Sequence, residues 1–368
     1  MTAEKILFLI FALFAVVGAV DRIIGNRFFG VGKAFERGIL TMGPLALSMI
    51  GMIVLAPVLA DWLRPVIAPL YQLVGADPAV FAGSLLACDM GGAPLAEALT
   101  DDPAAAALGG YIVSSMLGVT VTFTVPVAMG VLKKEDRPFA AKGILCGILT
   151  VPVGILIGGL AAGFPLLMVL KNLVPILPLS LLIALGLWKA ERFLIRAFTV
   201  FGWCMTALAT LGLLLTSLSY FLDREILSGM APLDEALLTV GRIAVVLSGA
   251  FPLMHLVTRC LKKPLRSLGA RLGMNETSVG GLLATSVNSI ATFDSVKEMD
   301  DRGKVVNMAF AVSAAFVFGD HLAYTAGESP AMLLPLIAGK LAAGITALLL
   351  ALWLTRPKQK RKEESTNV

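Results

Sequence analysis

The residue most able to carry chemistry in this apolar chain is Asp89, which lies in an otherwise hydrophobic stretch just before Gly91, Gly92 and Pro94. A carboxylate within a bilayer costs about 2.5–3.5 kcal/mol even on insertion scales, and such residues usually face a substrate or ion pathway. The glycines and the proline interrupt a helix and free backbone groups for a ligand. The pattern predicts a cation-binding position. The alternative is that Asp89 caps the second half of a broken helix.

A second group of polar residues follows a similar sequence later in the chain. The string Gly-x-Leu-Leu-Ala at 83–87 returns at 280–284, where it leads into Thr285, Ser286, Asn288 and Ser289. Corresponding interrupted segments in two halves of a membrane protein point to a substrate site between the halves. These amide and hydroxyl groups are predicted to bind a neutral polar group of a substrate. Hydrogen bonding between helices is the alternative.

Asp320 and His321 form the third candidate, deep in an apolar segment. An Asp-His pair in a membrane can hold a cation, pass a proton or satisfy itself as an ion pair. The cysteines offer no comparable cluster, so the sequence predicts neither a disulfide framework nor a metal site, and no cofactor. These cysteines are Cys88, Cys146, Cys204 and Cys260.

The elements that carry these residues are predicted to be membrane helices. Hydrophobic residues make up 57% of the 368 and charged residues 15%, and apolar runs of roughly 20 residues, enough to cross a bilayer, recur throughout. The net charge is +5, and the basic residues lie in short loops and in a basic tail. This distribution indicates positive-inside topology rather than nucleic-acid binding. Eleven apolar segments lie approximately at 6–24, 38–60, 79–100, 104–132, 140–163, 166–188, 194–222, 236–260, 277–298, 304–326 and 330–355.

Loop charge and an internal repeat predict the topology. Four short matches between the halves occur at offsets between 197 and 199 residues. If segments three and nine enter and leave on one side, every basic loop faces the cytoplasm, with the N-terminus outside and the C-terminus inside. The predicted fold is therefore an all-α polytopic membrane protein of two inverted repeats, with about nine spanning helices and two re-entrant or broken segments. The stretches 62–74 and 262–273 are predicted to lie at the membrane interface.

The division of the chain follows from the repeat. Residues 1–190 are predicted to form the first repeat with a connecting helix, 191–356 the second repeat, and 357–368 a basic cytoplasmic tail. The sequence gives no positive indication of an enzyme. It has no His-Glu-x-x-His motif and no phosphate-binding Gly-x-x-x-x-Gly-Lys-Ser/Thr motif.

Three long strings resemble the ethanolamine permease family of ethanolamine-utilisation operons, EutH. They are Phe81 to Gly92, Met299 to Asn307, and Ala309 to His321. The resemblance implies uptake of ethanolamine through the cytoplasmic (inner) membrane of a bacterium, by a protein whose partners are this small substrate and the lipid bilayer. One departure is Ser289, where the family often has a second Asn after the residue equivalent to Asn288.

Taken together, the residues and the resemblance predict an ammonium bound at buried carboxylates near the bilayer midplane. The predicted substrate-binding residues are Asp89, Gly91, Gly92, Asn288, Ser289, Asp320 and His321. Two other classes stay open at this point: a proton- or sodium-coupled transporter of another small polar or cationic solute, and a membrane-embedded enzyme or membrane anchor. The coupling ion and the formation of a homo-oligomer are also open.

Overall fold

The computed structural model describes residues 3–27 and 30–356, and the regular elements of this part are helical. Its α-helices are α1 (Ala3–Ile23), α2 (Gly32–Leu40), α3 (Met42–Leu73), α4 (Ala79–Leu85), α5 (Gly92–Leu99), α6 (Pro103–Ala107), α7 (Val125–Val131), α8 (Arg137–Ala161), α9 (Leu166–Lys189), α10 (Glu191–Leu222), α11 (Leu233–Arg271), α12 (Glu276–Val287), α13 (Ser289–Ser295), α14 (Asp301–Ala314), α15 (Asp320–Glu328) and α16 (Leu333–Leu354). The predicted basic tail at 357–368 lies outside the described residues.

Within the described ranges, eight helical stretches are long and apolar enough to cross a membrane. They are Glu4–Ile23, Gly32–Leu73, Pro103–Val131, Arg137–Ala161, Leu166–Lys189, Glu191–Leu222, Leu233–Leu261 and Pro330–Leu354. An all-helical chain suits lipid because each helix satisfies its own backbone hydrogen bonds. The sequence predicted about nine spans. The difference arises at segment 304–326, which is divided between α14 and α15 rather than continuous.

Segments three and nine are both interrupted, as predicted. The third consists of α4, an irregular turn that includes the 3₁₀ helix Cys88–Met90, and α5. The ninth consists of α12 and α13, separated at Asn288, whose backbone is extended at φ −155° and ψ 117°. Each segment is therefore two short helices that meet at a break.

Hydrogen bonds join the two ends of each interrupted segment. The Thr100 hydroxyl donates to Asp77 Oδ2 at 2.8 Å, across the ends of segment three. The Asn275 N–H donates to Asp300 Oδ1 at 2.7 Å, across the ends of segment nine. The two ends of each interrupted segment therefore lie close together.

The segment after α6 is wound as a π-helix over Leu108–Gly118 and again over Thr120–Thr124. A π-helix is rare and usually occurs as a single turn at functional sites. Here all residues of Leu108–Gly118 are buried. This wide helix packs against α4, α5, α8 and α16, so it lies at the centre of the described part of the protein.

Close backbone contact fixes α16 against α8. A Cβ atom at Gly154 would lie 2.6 Å from the Gly339 carbonyl oxygen, closer than real Cβ contacts allow. Small residues permit such approach between membrane helices. Because Gly339 precedes Lys340, this contact also determines where the Lys340 backbone lies.

The two stretches predicted to lie at the interface are continuous with long helices. Residues 62–73 form the end of α3, which contains Pro57, Pro65 and Pro69, and residues 262–271 form the end of α11. The 32 residues of α3 reach about 48 Å at 1.5 Å per residue. Both helices are thus longer than a hydrocarbon core of about 30 Å requires.

Candidate binding site at the helix breaks

The turn between α4 and α5 determines the position of Asp89. Residues 86 and 87 are extended, Cys88–Met90 form one 3₁₀ turn, and Gly91 has φ +94°. A side chain at Gly91 would be strained in this left-handed conformation and would also meet Met52 Cε at 2.7 Å. The Gly92 N–H donates to the Ala87 carbonyl at 2.8 Å and closes the turn.

Asp89 does not cap the following helix. The N-cap residue of α5 is Gly91, and no side chain accepts a capping hydrogen bond there. The alternative that Asp89 is a helix cap is therefore wrong. Its carboxylate is 16% exposed, which leaves it almost buried yet free to interact with a group outside its own turn.

His321 is the residue that faces this carboxylate. Its Nε2 lies 3.6 Å from Asp89 Oδ1, and its side chain is 1% exposed. Two residues predicted from separate parts of the sequence therefore meet in one site. Asp320, in the first turn of α15, is near enough to interact electrostatically with Asp89, and it also interacts with Arg37 of α2.

Lys340 lies next to this pair, on the side of His321 away from Asp89, and it was not among the residues predicted from the sequence. Its Nζ lies 3.3 Å from His321 Nδ1 and donates a hydrogen bond to the Ser115 carbonyl of the π-helix. Lys340 is fully buried. The sequence does carry a signal for it, because a lysine in the middle of the apolar segment 330–355 is as unusual as Asp89 is in its own segment.

Cys88 also approaches the site. Its Sγ and the ligand atoms of Asp89 and His321 all lie within 4.8 Å of one another. Thiolate, carboxylate and imidazole can together hold a metal ion. However, Lys340 occupies the other side of His321, and a lysine ammonium there would repel a divalent cation.

Aromatic rings border the site on one side. The Phe316 ring lies 5.2 Å from the His321 ring and 5.4 Å from the Phe123 ring, measured between centroids. Phe316 has φ +60°, which is unusual for a large side chain. Aromatic faces attract a nearby cation, so Phe316 and Phe123 could stabilise an ammonium beside Asp89.

The backbone at the break in segment nine is hydrogen-bonded to the residues that precede His321. The Phe316 N–H donates to the Thr285 carbonyl at 3.1 Å, and the Phe318 N–H donates to the Ser286 carbonyl at 2.8 Å. Asn288 caps α13 by accepting from the Ile290 N–H at 2.9 Å. The breaks of segments nine and ten are therefore joined through the backbone.

The predicted polar residues of segment nine have mainly structural contacts. Thr285 donates to Thr292, and Ser286 donates to the Leu283 carbonyl. The Ser289 hydroxyl differs, because it is buried and has no hydrogen-bond partner in the described part of the chain. The described hydrogen bonds and ion pairs link neither Asn288 nor Ser289 directly to the Asp89–His321 pair.

A cavity of about 260 Å³ lies between α3 and α10 and extends to the turn that holds Asp89. Met90, which follows Asp89, and Met52, which contacts Gly91, both line it. The complete lining is Pro44, Leu47, Ser48, Met52, Met90, Met205, Thr206, Ala209 and Thr210.

Long apolar helices around buried Asp, His and Lys side chains define a multi-pass membrane protein with a polar internal site. The family model of the ethanolamine utilisation protein EutH matches residues 3–354. The chain belongs to the EutH family, which supports a membrane transporter.

Full-length relatives support this assignment. The chain is 48% identical over 99% of its length to the probable ethanolamine permease EutH of Listeria monocytogenes, covering 98% of that protein. It is 41% identical over 98% of its length to the probable ethanolamine permease EutH of Escherichia coli, covering 97% of it. It is 44% identical over 99% of its length to the uncharacterized protein YxeR of Bacillus subtilis, covering 98% of it. No solved structure matches the chain.

Proposed function

We propose that this protein takes up protonated ethanolamine into the bacterial cytoplasm and binds the substrate ammonium at Asp89. The observation that carries the proposal is the nearly buried Asp89 carboxylate at a helix break, which caps no helix and faces His321 at 3.6 Å. Relatives named as probable ethanolamine permeases supply the identity of the substrate.

The chemistry of the site fits a small primary ammonium. A buried carboxylate compensates a positive charge that would otherwise be costly in a low-dielectric interior. Phe316 and Phe123 add aromatic faces. The Ser289 hydroxyl has no hydrogen-bond partner among the described residues. We propose that it binds the substrate hydroxyl when ethanolamine is bound.

We also propose that segments three and nine are re-entrant and that the two halves form an inverted repeat. The hydrogen bonds that join the ends of each segment support re-entrance, because a hairpin returns to the side it left. Lys304 Nζ lies 2.8 Å from Asp136 Oδ1, which supports the same arrangement. Four spans and segment nine separate these residues, so they share a side only if segment nine does not cross.

An acid caps the helix that follows each interrupted segment, which further supports the repeat. Asp102 accepts from the Ala104 N–H at the start of α6, and Asp300 accepts from the Gly303 N–H at the start of α14. The two acids are 198 residues apart, within the range of offsets of the sequence matches.

The test is uptake of labelled ethanolamine by liposomes that contain the purified protein. Wild-type protein should give saturable uptake, and Asp89→Asn should reduce it at least tenfold because the amide cannot neutralise the ammonium. Asp101→Asn is the matched control, since Asp101 is exposed in a loop, and it should transport normally. Normal uptake by Asp89→Asn would contradict the proposed ammonium site.

The same assay separates the other classes. Inhibition of uptake by other small amines or polar solutes more strongly than by unlabelled ethanolamine would favour a transporter of a different substrate. Absence of any solute flux from well-folded protein would favour an enzyme or a membrane anchor.

A further inference from the structure

The feature that the proposed function does not use is the fully buried Lys340. It lies on α16 and reaches His321 Nδ1 at 3.3 Å, while Asp89 lies on the far side of the same imidazole at 3.6 Å from Nε2. Lys340 also donates to the Ser115 carbonyl. The imidazole therefore separates a buried amine from a buried carboxylate.

The geometry fixes the hydrogen positions when Lys340 is charged. An ammonium has only donors, so His321 Nδ1 must accept. The neutral imidazole then carries its hydrogen on Nε2, which points at the Asp89 carboxylate. Lys340 Nζ and His321 Nδ1 are within hydrogen-bond distance, whereas the 3.6 Å between His321 Nε2 and Asp89 Oδ1 is longer than a hydrogen bond. A proton that leaves Nε2 therefore passes to water on the Asp89 side.

The buried site holds few charges, and each cation in it needs a carboxylate to balance it. In the empty site, the Lys340 ammonium balances the Asp89 carboxylate. A bound substrate ammonium would add a second cation to this low-dielectric site against the same carboxylate, which is costly. We propose, on the basis of the proposed function, that substrate binding expels a proton from Lys340, so that uptake exchanges one substrate cation for one proton.

The proton step balances without another reactant. The Lys340 ammonium transfers a proton to His321 Nδ1 and becomes a neutral amine, as buried catalytic lysines do. The imidazole releases its Nε2 proton on the Asp89 side, where it passes to water, and so remains neutral with its tautomer exchanged. The substrate ammonium replaces the Lys340 charge beside Asp89. When substrate leaves, a proton returns by the reverse route.

Other titratable groups lie near Asp89, His321 and Lys340. The Cys88 thiol accompanies Asp89 on its turn, and Asp320 precedes His321 and interacts with Arg37 of α2. In the neighbouring π-helix, the Tyr111 hydroxyl donates to Glu97 Oε1 at 3.0 Å. Asp320 is itself a carboxylate, so it cannot be the cation that balances Asp89, and Arg37 lies close enough to offset part of the Asp320 charge.

This exchange has a definite thermodynamic consequence. Moving an ammonium inward and a proton outward is equivalent to moving the neutral amine inward, so net uptake does not respond to membrane voltage. A variant without the Lys340 proton would instead carry substrate as a cation, and its uptake would respond. For one charge, a tenfold change in the equilibrium ratio corresponds to 59 mV.

The experiment compares Lys340→Gln and Lys340→Arg in liposomes at mildly acidic pH, with protein-free liposomes subtracted. Lys340→Gln should retain counterflow of labelled against unlabelled ethanolamine, and about 59 mV inside-negative should raise its accumulation tenfold. Lys340→Arg keeps a permanent charge and should lose binding and counterflow. Lys142→Gln alters an exposed lysine and should behave as wild type, without voltage dependence.

Proton release on substrate binding tests the exchange in the wild-type protein, so the test does not depend on whether Lys340→Gln folds. Wild-type protein in weak buffer should release about one proton per ethanolamine bound, since the substrate amine, like lysine with a pKa of about 10.4, is already protonated. Two results would overturn the proton exchange but not the proposed function. One is the absence of proton release on binding, and the other is voltage-driven uptake by wild type with normal counterflow. Absence of counterflow by wild type would overturn the proposed function itself. A structural role for Lys340 predicts no gain of voltage dependence in either variant.

Discussion

At the scale of single residues, the site depends on buried charges that compensate one another. Asp89 lies more than 200 residues before His321 and Lys340, which belong to the consecutive helices α15 and α16. Removal of one partner of a buried pair typically costs about 3–5 kcal/mol. The sequence could predict Asp89 and His321 because ionisable residues are rare in apolar segments. Their contact with Lys340 could not be predicted, since it depends on how closely α16 packs against α8 and the π-helix.

Asp300 offers a test outside the membrane-spanning segments. Burial raises the pKa of Asp300, but hydrogen bonds from the Asn275 N–H, the Ser278 hydroxyl and the Gly303 N–H outweigh this and hold it below its usual range. A depressed carboxylate pKa adds stability above the unfolded value of about 3.9, and this stability is lost as pH falls through the folded pKa. Asp300→Ala should therefore destabilise the protein by about 1 kcal/mol at pH 7.

Thermal unfolding in detergent at pH 7 and at successively lower pH measures this effect. The difference between Asp300→Ala and wild type should shrink as pH falls below about 3.9. Asp301→Ala removes an exposed neighbour and should change stability little. A constant difference at all pH values would show that the ionised form of Asp300 contributes nothing.

At the scale of elements, broken helices bring the site residues together. Sequence predicted the breaks in segments three and nine, because glycine, proline and polar residues interrupt apolar runs there. It did not predict the break between Ala314 and Asp320 or the π-helix at 108–124. The apolar residues around Phe316 contain no helix breaker before Gly319, and hydrogen bonds to the backbone of segment nine, not local preference, compensate this break.

Gly319 tests the junction between the breaks of segments nine and ten. A Cβ atom at Gly319 would lie 2.0 Å from the Val287 carbonyl oxygen, so Gly319→Ala must displace α15 and with it His321. Overpacking of this kind typically costs about 1–3 kcal/mol. We expect weaker ethanolamine uptake and a lower melting temperature.

Gly280→Ala is the matched control for this junction. A Cβ atom at Gly280 would meet no heavy atom within 4 Å, although Gly280 lies in α12, the helix that carries Val287. Uptake and melting temperature should match wild type. Equal effects of Gly280→Ala and Gly319→Ala would mean that the backbone contact at Gly319 does not hold His321 in place.

At the scale of the whole molecule, the outer surface is that of a protein surrounded by lipid. Many large apolar side chains are exposed, and Trp188 and Trp353 are 70% and 59% exposed at the ends of α9 and α16. Tryptophan is enriched at membrane interfaces. Both helix ends lie on the predicted cytoplasmic side. Hydropathy and loop charge could predict this architecture because the bilayer imposes it on the sequence directly.

Topology is the remaining prediction at this scale. With segments three and nine re-entrant, Asp101 lies outside and Lys134 inside; if every segment crossed, the two would be exchanged. Asp101→Cys and Lys134→Cys, each made with the exposed Cys204 and Cys260 replaced by serine, should react with an impermeant maleimide from opposite sides. In intact cells we expect labelling at position 101 alone, and at position 134 only after the membrane is opened. The reverse pattern would refute both the re-entrant segments and the inverted repeat.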